Sequence, residues 1–568
     1  MLSSNGLSWG PSSHGIKVQI DPSNVQLNDP ISLDIETDEK DNFVGCGIYD
    51  GVNCVYVTNH LKLLTYVFGK KIIGYNVKTD FHWLLKAGVP VTSSQIFSDP
   101  MIMSYVVNSN RESQGLKDVA HDELQRTRPS YKDIVGKGKD KKTLDKQDVT
   151  FVAEYCCQDA IDAWDLHYHF DKIFMPAQRK LYEQIELPVY RSLVDMEVKG
   201  IKIDVQRLNE LKIEFGDELK TIEDALKVYD AEWNPRSPKQ TVEVLKKHGI
   251  NIAGTDKVAL LPFKGQPIVD TLLRHRRISK LTSTYVDAFR NLPTLPYIHT
   301  TFNQVSIQDG GTFKGIRTGR LSSNNPNLQN IPAKKDGTKL RELFIPRDGM
   351  VMIDADYSQI EYRLLAHFSK EPALLETFRT GGDVHETTGR LLGASRDIGK
   401  TLNFASIYGA QAGKIAITAG VSESEADTFL RKYWAVLPRV KSWIERVKFM
   451  ARSQRGVSTM SGRWIPLPEI NSRKKFERMH WERAAVNYII QGSAADIIKV
   501  AMLSVAQSGY NPLLQVHDEL LFEFRKDDPR GIRNIAKNIR CIMNSVVQLS
   551  VPLDVDVHLG YNWREAKE

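Results

Sequence analysis

The stretch Val351-Met352-Ile353-Asp354-Ala355-Asp356-Tyr357 constrains the fold more than any other in this 568-residue chain. Its apolar start suits a buried strand, which then delivers two carboxylates whose burial as ions is costly unless they are paired or hold a metal. Taken alone, the stretch is also explained by capping of a following helix. A second acidic set far along the chain argues for more. In Leu513-Leu514-Gln515-Val516-His517-Asp518-Glu519-Leu520-Leu521-Phe522, two β-prone runs flank His-Asp-Glu, the pattern of a hairpin with acid at its bend. Two carboxylate-bearing strand ends can hold two divalent cations, the arrangement that phosphoryl transfer requires.

Length sets an expectation of about four domains. With 41% hydrophobic and 26% charged residues the chain is not wholly disordered. No apolar run approaches the ~20 residues of a membrane span, so a soluble protein is expected. A net charge of +7 only permits a polyanionic partner. Its distribution says more: between Arg431 and Arg483, 14 Lys or Arg face four acids, interleaved with Tyr433, Trp434, Trp443, Phe449, Trp464, Phe476 and Trp481. A solvated helix face accounts for many of these. A positive surface with aromatic platforms is also what a single nucleic-acid strand needs. Cys46, Cys54, Cys156, Cys157 and Cys541 lack framework spacing and read as reduced thiols in a cytosolic setting. The Ser-rich N-terminus fits neither a secretory signal nor a transit peptide.

Up to about residue 170, strands and helices alternate. Ile31 to Thr37 has period two, so Asp34 and Glu36 share a strand face, a poor core and a good metal platform. A short strand at Lys70–Ile73 leads to a helix carrying Phe81, Leu84 and Leu85, with Asp80 in its first turn. The polar stretch Ile134–Asp148 reads as a mobile loop. Tyr155 and Asp159 beyond it share a helix face. Singly, each acid is best read as structural. Together they resemble the three motifs of DEDD-type 3′–5′ proofreading exonucleases of the tyrosine-bearing subclass. The resemblance implies that Asp34, Glu36, Asp80 and Asp159 hold two metals while Tyr155 orients the attacking water.

From about Leu181 the pattern turns helical, with an amphipathic stripe at Leu208, Leu211, Phe215, Leu219, Ile222 and Leu226. Asn234–Gln240 breaks it and caps a further helix. Arg274, Arg276, Arg277 and Lys280 form a basic cluster, either a surface charge run or a phosphate-tracking face. Then come Thr318-Gly319-Arg320-Leu321-Ser322-Ser323 and, past the anchor stretch, Arg396, Lys400, Phe404 and Tyr408, recurring every four residues along a helix. Two cations a turn apart suit a triphosphate, and two aromatics suit a base pair. From Leu181 on, these motifs and their order resemble family A DNA polymerases, the DNA polymerase I class, and the whole chain resembles a Klenow-type fragment.

Spacing leaves Asp354 and Asp356 open as the metal-binding strand residue; the resemblance picks Asp356, with Asp518 and the carbonyl of Tyr357 as further ligands. It implies Arg396, Lys400 and His385 on the phosphates, with Lys400 as general acid for pyrophosphate. Phe404 lies against the sugar and Tyr408 near the templating base. Glu361 is the steric gate against a ribose 2′-hydroxyl. Arg320, Arg483, Asn487 and Gln491 contact the primer–template minor groove, whose acceptors look alike for every correct pair. His517 and Glu519 support the primer terminus. Phe404 in place of Tyr implies discrimination against dideoxynucleotides, and Gly399, where Ala is common, should loosen its helix by up to ~1 kcal/mol.

The expected fold is therefore α/β and α+β multidomain: a ribonuclease H-like exonuclease domain (1–175), then a polymerase right hand. Its parts are a thumb with connecting helices (176–300), a first palm part (301–367), fingers (368–482) and a second palm part (483–568). The expected activity is DNA-templated DNA polymerisation by two-metal transfer with 3′–5′ proofreading. The rivals are a single-subunit RNA polymerase-like enzyme and a silent DNA-binding replication factor. The cofactor implied is Mg²⁺, two ions at each site, with Mn²⁺ as a substitute. The partners are primer–template DNA and deoxynucleoside triphosphates, with no membrane and the chain a monomer. The expected location is the cytoplasm of a bacterium or phage-infected host, or an organelle; no 5′-nuclease domain is expected ahead of the exonuclease.

Overall fold

The computed structural model describes residues 16–129, 134–135, 143–305, 316–409 and 411–567, without the side chains of 406–408. Most of the polar stretch after Ile134, and the side chain of Tyr408, therefore lie outside the described residues.

The first domain is a six-stranded sheet in the order β1-β4-β3-β2-β5-β6: β1 (Val18–Ile20), β2 (Ile31–Thr37), β3 (Phe43–Tyr49), β4 (Cys54–Val57), β5 (Ile72–Ile73) and β6 (Ile96–Ser98). β2 pairs antiparallel with β3 and parallel with β5, which places it in the interior of the sheet. The helix Val149–Ile173 packs across β2 and β3 and starts at Asp148, whose carboxylate accepts from the amides of Thr150 and Phe151. Where the expected mobile loop is described it is packed instead: Ile134, Val135 and Leu144 are buried beside this helix.

The next layer is helical. All six residues of the stripe are buried on the helix Val205–Lys227, which packs against Pro267–Leu281. Ser237 caps the helix Pro238–Lys247, as the break implies. On Pro267–Leu281 the basic cluster is largely spent within the protein. Arg274 pairs with Glu218 and Asp336, Arg277 with Asp336, and Arg276 with the Thr255 carbonyl. Two small antiparallel pairs follow, β7 (Ile201–Lys202) with β8 (Tyr297–Ile298) and β9 (Thr301–Asn303) with β10 (Ser322–Asn324).

β11 (Met350–Tyr357) carries the anchor stretch and leads into the helix Ile360–Ser369. A hairpin, β12 (Gly456–Ser458) and β13 (Trp464–Pro466), interrupts the helices beyond. β14 (Leu514–Val516), β15 (Glu519–Arg525) and β16 (Val555–Gly560) then complete a four-stranded antiparallel sheet in the order β14-β15-β11-β16.

Between them runs one helix of 33 residues, Lys475–Gln507, unbroken through positions 482 and 483. Contrary to the sequence reading, it is long and apolar enough to cross a bilayer by length and composition; 67% of the qualifying window is buried inside the protein. It is the core helix on which β12 of the hairpin and the neighbouring helices pack.

The helices Val384–Leu392 and Arg396–Tyr408 pack against each other, and here the reading of Gly399 is corrected. A Cβ at 399 would collide with the carbonyl of His385 and lie 2.6 Å from the amide nitrogen of Gly389. Glycine is there for close approach of two helices, so alanine would cost packing rather than gain helix propensity.

Candidate active sites

In the four-stranded sheet, Asp356 of β11 is the register partner of Glu519 on β15, and the turn His517–Asp518 joins β14 to β15. The amide of Tyr357 donates to the carbonyl of Asp518 at 3.1 Å, which locks the turn against the end of β11. His517 adopts φ 56°, the left-handed conformation that makes the turn tight. The two aspartates, remote in sequence, thus meet at one end of the sheet.

The structure separates the two candidates on β11. The side chain of Asp354 is 1% exposed and its Oδ2 has no hydrogen-bond partner among the described residues; that of Asp356 is 36% exposed. Burial and the neighbouring Glu519 carboxylate push Asp354 up to about 10, so it is the protonated member of the group. Burial also raises Asp356, and it pushes Asp518 up to about 7. A cationic side chain already sits among these groups: Lys567 Nζ lies 2.7 Å from Asp356 Oδ2 and 2.8 Å from Glu519 Oε2. The other oxygen of Glu519 accepts from Trp563 Nε1 at 2.5 Å, with Arg341 at 3.9 Å. Glu519 is therefore engaged by the protein's own donors. Sequence reading missed Lys567 and Trp563, because the last segment carries no periodicity that would mark it, and Arg341, because it ends a four-residue helix that meets Glu519 only in the fold.

Arg396, Lys400 and Phe404 lie on one helix, beside the ring of His385. Arg396 Nη2 is 2.6 Å from Asp383, which also caps the helix bearing His385. Asn403 Nδ2 lies 3.1 Å from His385 Nδ1. Phe404 is 40% exposed and meets the Tyr362 ring edge-on, with centroids 5.7 Å apart. Glu361 accepts from Arg320 Nη2 at 2.5 Å. Arg483, Asn487 and Gln491 succeed one another at four-residue spacing on the Lys475–Gln507 helix. Arg483 packs under Gly409 at the end of the Arg396–Tyr408 helix, and the buried Asn487 Oδ1 has no hydrogen-bond partner among the described residues.

In the first domain, ligand atoms of Asp34, Glu36 and Cys156 lie within 4.8 Å of one another. Asp80 enters from the helix Lys78–Lys86, its Oδ1 accepting from the Ile35 amide at 3.0 Å between the two β2 acids. Asp159 is paired with Lys117, whose ammonium lies 4.5 Å over the ring of Tyr155. Burial raises Asp34, and it raises Glu36 and Asp80 far more, with the neighbouring carboxylates adding to it. Beside Asp80 opens a cleft of about 420 Å³ lined by Thr37, Lys78, Trp83, Asn303 and Asn325 among others. Lys117 and Cys156 were not singled out from the sequence, although Cys156 adjoins Tyr155.

Both clusters bring several carboxylates together, a donor set suited to a divalent cation, and each is also reached by a lysine ammonium.

DNA polymerase family A matches residues 205–565. DNA polymerase I of Synechocystis sp. is 34% identical over 95% of this chain and 60% of its own length. DNA polymerase I of Pseudomonas aeruginosa is 33% identical over 87% and 56%, and the thermostable DNA polymerase I of Thermus aquaticus 35% identical over 68% and 49%. The chain thus spans between 49% and 60% of the length of these relatives. Among solved structures, the POL domain of Pol1 from M. smegmatis, in complex with DNA primer-template and dNTP, superposes with a TM-score of 0.82. It is 29% identical, covering 95% of this chain and 96% of that one. The architecture is the mixed α/β polymerase fold, and the chain belongs to DNA polymerase family A.

Proposed function

We propose that this chain is a DNA-templated DNA polymerase that extends a primer 3′ end with deoxynucleotides, and that its first domain is a 3′–5′ proofreading exonuclease. The observation that carries the polymerase reading is the convergence of Asp356 and Asp518 at the end of one sheet, with the helix bearing Arg396 and Lys400 joined through Phe404 to Tyr362 on the helix that follows β11. The residues fit magnesium. Asp356, Asp518 and the Tyr357 carbonyl would hold it, leaving the neutral Asp354 and the engaged Glu519 as support. When bound, the metal supplies Lewis-acid stabilisation of an in-line phosphoryl displacement.

The rest is the work of the chain's own groups. Arg396, Lys400 and His385 face the triphosphate, and Lys400 delivers a proton to the departing pyrophosphate. Glu361, held by Arg320, stands where a ribose 2′-hydroxyl would intrude, and Phe404 backs the sugar from the Tyr362 side. Tyr408 is assigned to the templating base. Arg483, Asn487 and Gln491, with Arg320, track the minor groove, while His517 and Glu519 steady the primer end.

In the first domain, Asp34, Glu36, Asp80 and Asp159 are assigned as holders of a second pair of Mg²⁺ ions, and Tyr155 as the residue that orients water. The juxtaposition of Asp34 and Glu36 on one strand face, with Asp80 bonded to the Ile35 amide between them and opening onto the cleft, supports that reading. A monomer acting in the cytoplasm completes the proposal.

One experiment tests both halves: extension of a primed template with Mg²⁺, using matched and mismatched 3′ ends and deoxy- or ribonucleotides. Extension with deoxynucleotides and trimming of the mismatch are expected. Preference for ribonucleotides would favour an RNA polymerase, and no extension a silent binding factor.

A further inference from the structure

The loop Thr318-Gly319-Arg320 is gripped from two sides, by Tyr105 of the first domain and by Arg463. Tyr105 lies on the helix Pro100–Val107 of the first domain and is 2% exposed. Its hydroxyl accepts from the Gly319 amide at 3.1 Å and donates to the Ile316 carbonyl at 2.6 Å. A phenol can do both at once, so one oxygen satisfies a donor and an acceptor of the same loop.

From the other side comes Arg463, 1% exposed, of the turn between β12 and β13. It is held by Asp496 at 2.6 Å and by Glu186. A Cβ on Gly319 would fall 2.5 Å from the Arg463 guanidinium carbon, and Gly319 has φ 78°. Position 319 thus tolerates only glycine, both for the close approach and for the left-handed backbone. The next residue is Arg320, which reaches Glu361 at 2.5 Å.

We propose that Tyr105 is a positioning residue for the polymerase site: its hydroxyl fixes the loop that aims Arg320 at the primer–template minor groove. The first domain thereby contributes to how the polymerase site grips its duplex. This rests on the reading of Arg320 given above. A ring without the hydroxyl would still fill the same space, but the buried Gly319 amide would lose this acceptor and the Ile316 carbonyl this donor, and the loop would shift.

The test is Tyr105→Phe in the full chain, alone and combined with Arg320→Ala. The readouts are the Kd for a primed duplex by fluorescence anisotropy, kcat and KM for extension, and digestion of a single strand. Alone, Tyr105→Phe should weaken duplex binding about fivefold to tenfold, raise the KM for DNA in step, and leave single-strand digestion as it was. In the Arg320→Ala background it should add nothing. Gly319→Ala, which displaces the loop from the Arg463 side, should reproduce the loss with Tyr105 intact. An equal loss in both backgrounds, or a lowered Tm with unchanged duplex binding, would overturn the proposal. If Arg320→Ala itself binds duplex like the parent, the minor-groove assignment falls too. Extension by the parent chain reports separately on whether the polymerase reading stands.

Discussion

The two carboxylate clusters solve one electrostatic problem on different scaffolds. In the palm the acids come from facing antiparallel strands and their turn, and the partly exposed Asp356 is set apart from the buried Asp354. In the first domain the acids come from one strand and two helices. Asp80 and Asp159 are both buried there, 7% and 6% exposed. Each cluster draws in one lysine, Lys567 from the C-terminal turn and Lys117 from the helix Leu116–Leu124. A fold that concentrates carboxylates for a divalent cation has to tolerate that charge without the ion. Here each site does so with raised pKa values and one mobile-headed ammonium.

If the two clusters are separate sites, single substitutions should divide the activities. Asp356→Ala or Asp518→Ala should lower primer extension by more than about a thousandfold and leave 3′ digestion of a single strand intact. Asp34→Ala should do the reverse. Extension and digestion gels on the same preparations read this out, and one substitution that removes both activities from a folded chain would end the comparison.

The two sites also share a frame. Glu186, Arg463, Asp496 and Lys499 form a fully buried ionic cluster, with Lys499 Nζ 2.8 Å and 2.9 Å from the two Glu186 oxygens. Burial opposes the Glu186 charge, but Lys499 and Arg463 hold its carboxyl to about 2, below the usual 4.5. The acid is therefore depressed in the folded state. Its stabilising contribution is complete above about pH 4.5 and is lost as pH falls toward about 2. Glu186→Gln strips the buried Lys499 of its carboxylate partner and leaves Arg463 to Asp496 alone, and should cost about 3–5 kcal/mol at neutral pH. Urea melts at falling pH should show the mutant and parent curves converging in acid.

Gly399→Ala measures how closely packed the Arg396–Tyr408 helix is. The collision with His385 and Gly389 should cost about 1–3 kcal/mol and raise the KM for nucleotides by displacing Arg396 and Lys400. First-domain digestion should be unchanged. A stabilised variant would restore the propensity argument.

That position shows where sequence reading stops. β11, the hairpin at His517–Asp518, the Asp34–Glu36 face and the Leu208–Leu226 stripe were legible because each depends on local periodicity or turn chemistry. The packing of Gly399 against Gly389 depends on a neighbouring helix, so propensity alone gave it the wrong sign. Lys567 meets Asp356 and Glu519 only after the whole palm has folded, and nothing in its own neighbours marks it. The basic run at Arg274–Arg277 looked like a phosphate face because its acidic partners, Glu218 and Asp336, lie elsewhere in the chain. The expectation of no membrane-length apolar segment failed because Lys475–Gln507 is a core helix, buried on most sides instead of along one stripe.

The smallest effect separates the two lysines. Lys567 is 29% exposed and Lys117 22%, and each neutralises carboxylates that a divalent ion would otherwise bind. Solvent reaches both ammonium groups, so each pairing is worth much less than a sealed ion pair. Without metal, Lys567→Ala leaves Asp356 without its cation and Glu519 with Trp563 and Arg341 alone, and Tm should fall by about 1 °C for a loss of about 1 kcal/mol. With magnesium present the ion takes over that neutralisation, so the deficit should shrink, and Mn²⁺ binding followed by its paramagnetic signal should tighten. Lys117→Ala differs in one respect, because that ammonium also lies over the Tyr155 ring. Its removal frees the ring as well as Asp159, so magnesium should restore less of the lost Tm than at Lys567. Equal recovery at both positions would mean that the aromatic contact contributes nothing and that the two clusters differ in scaffold alone.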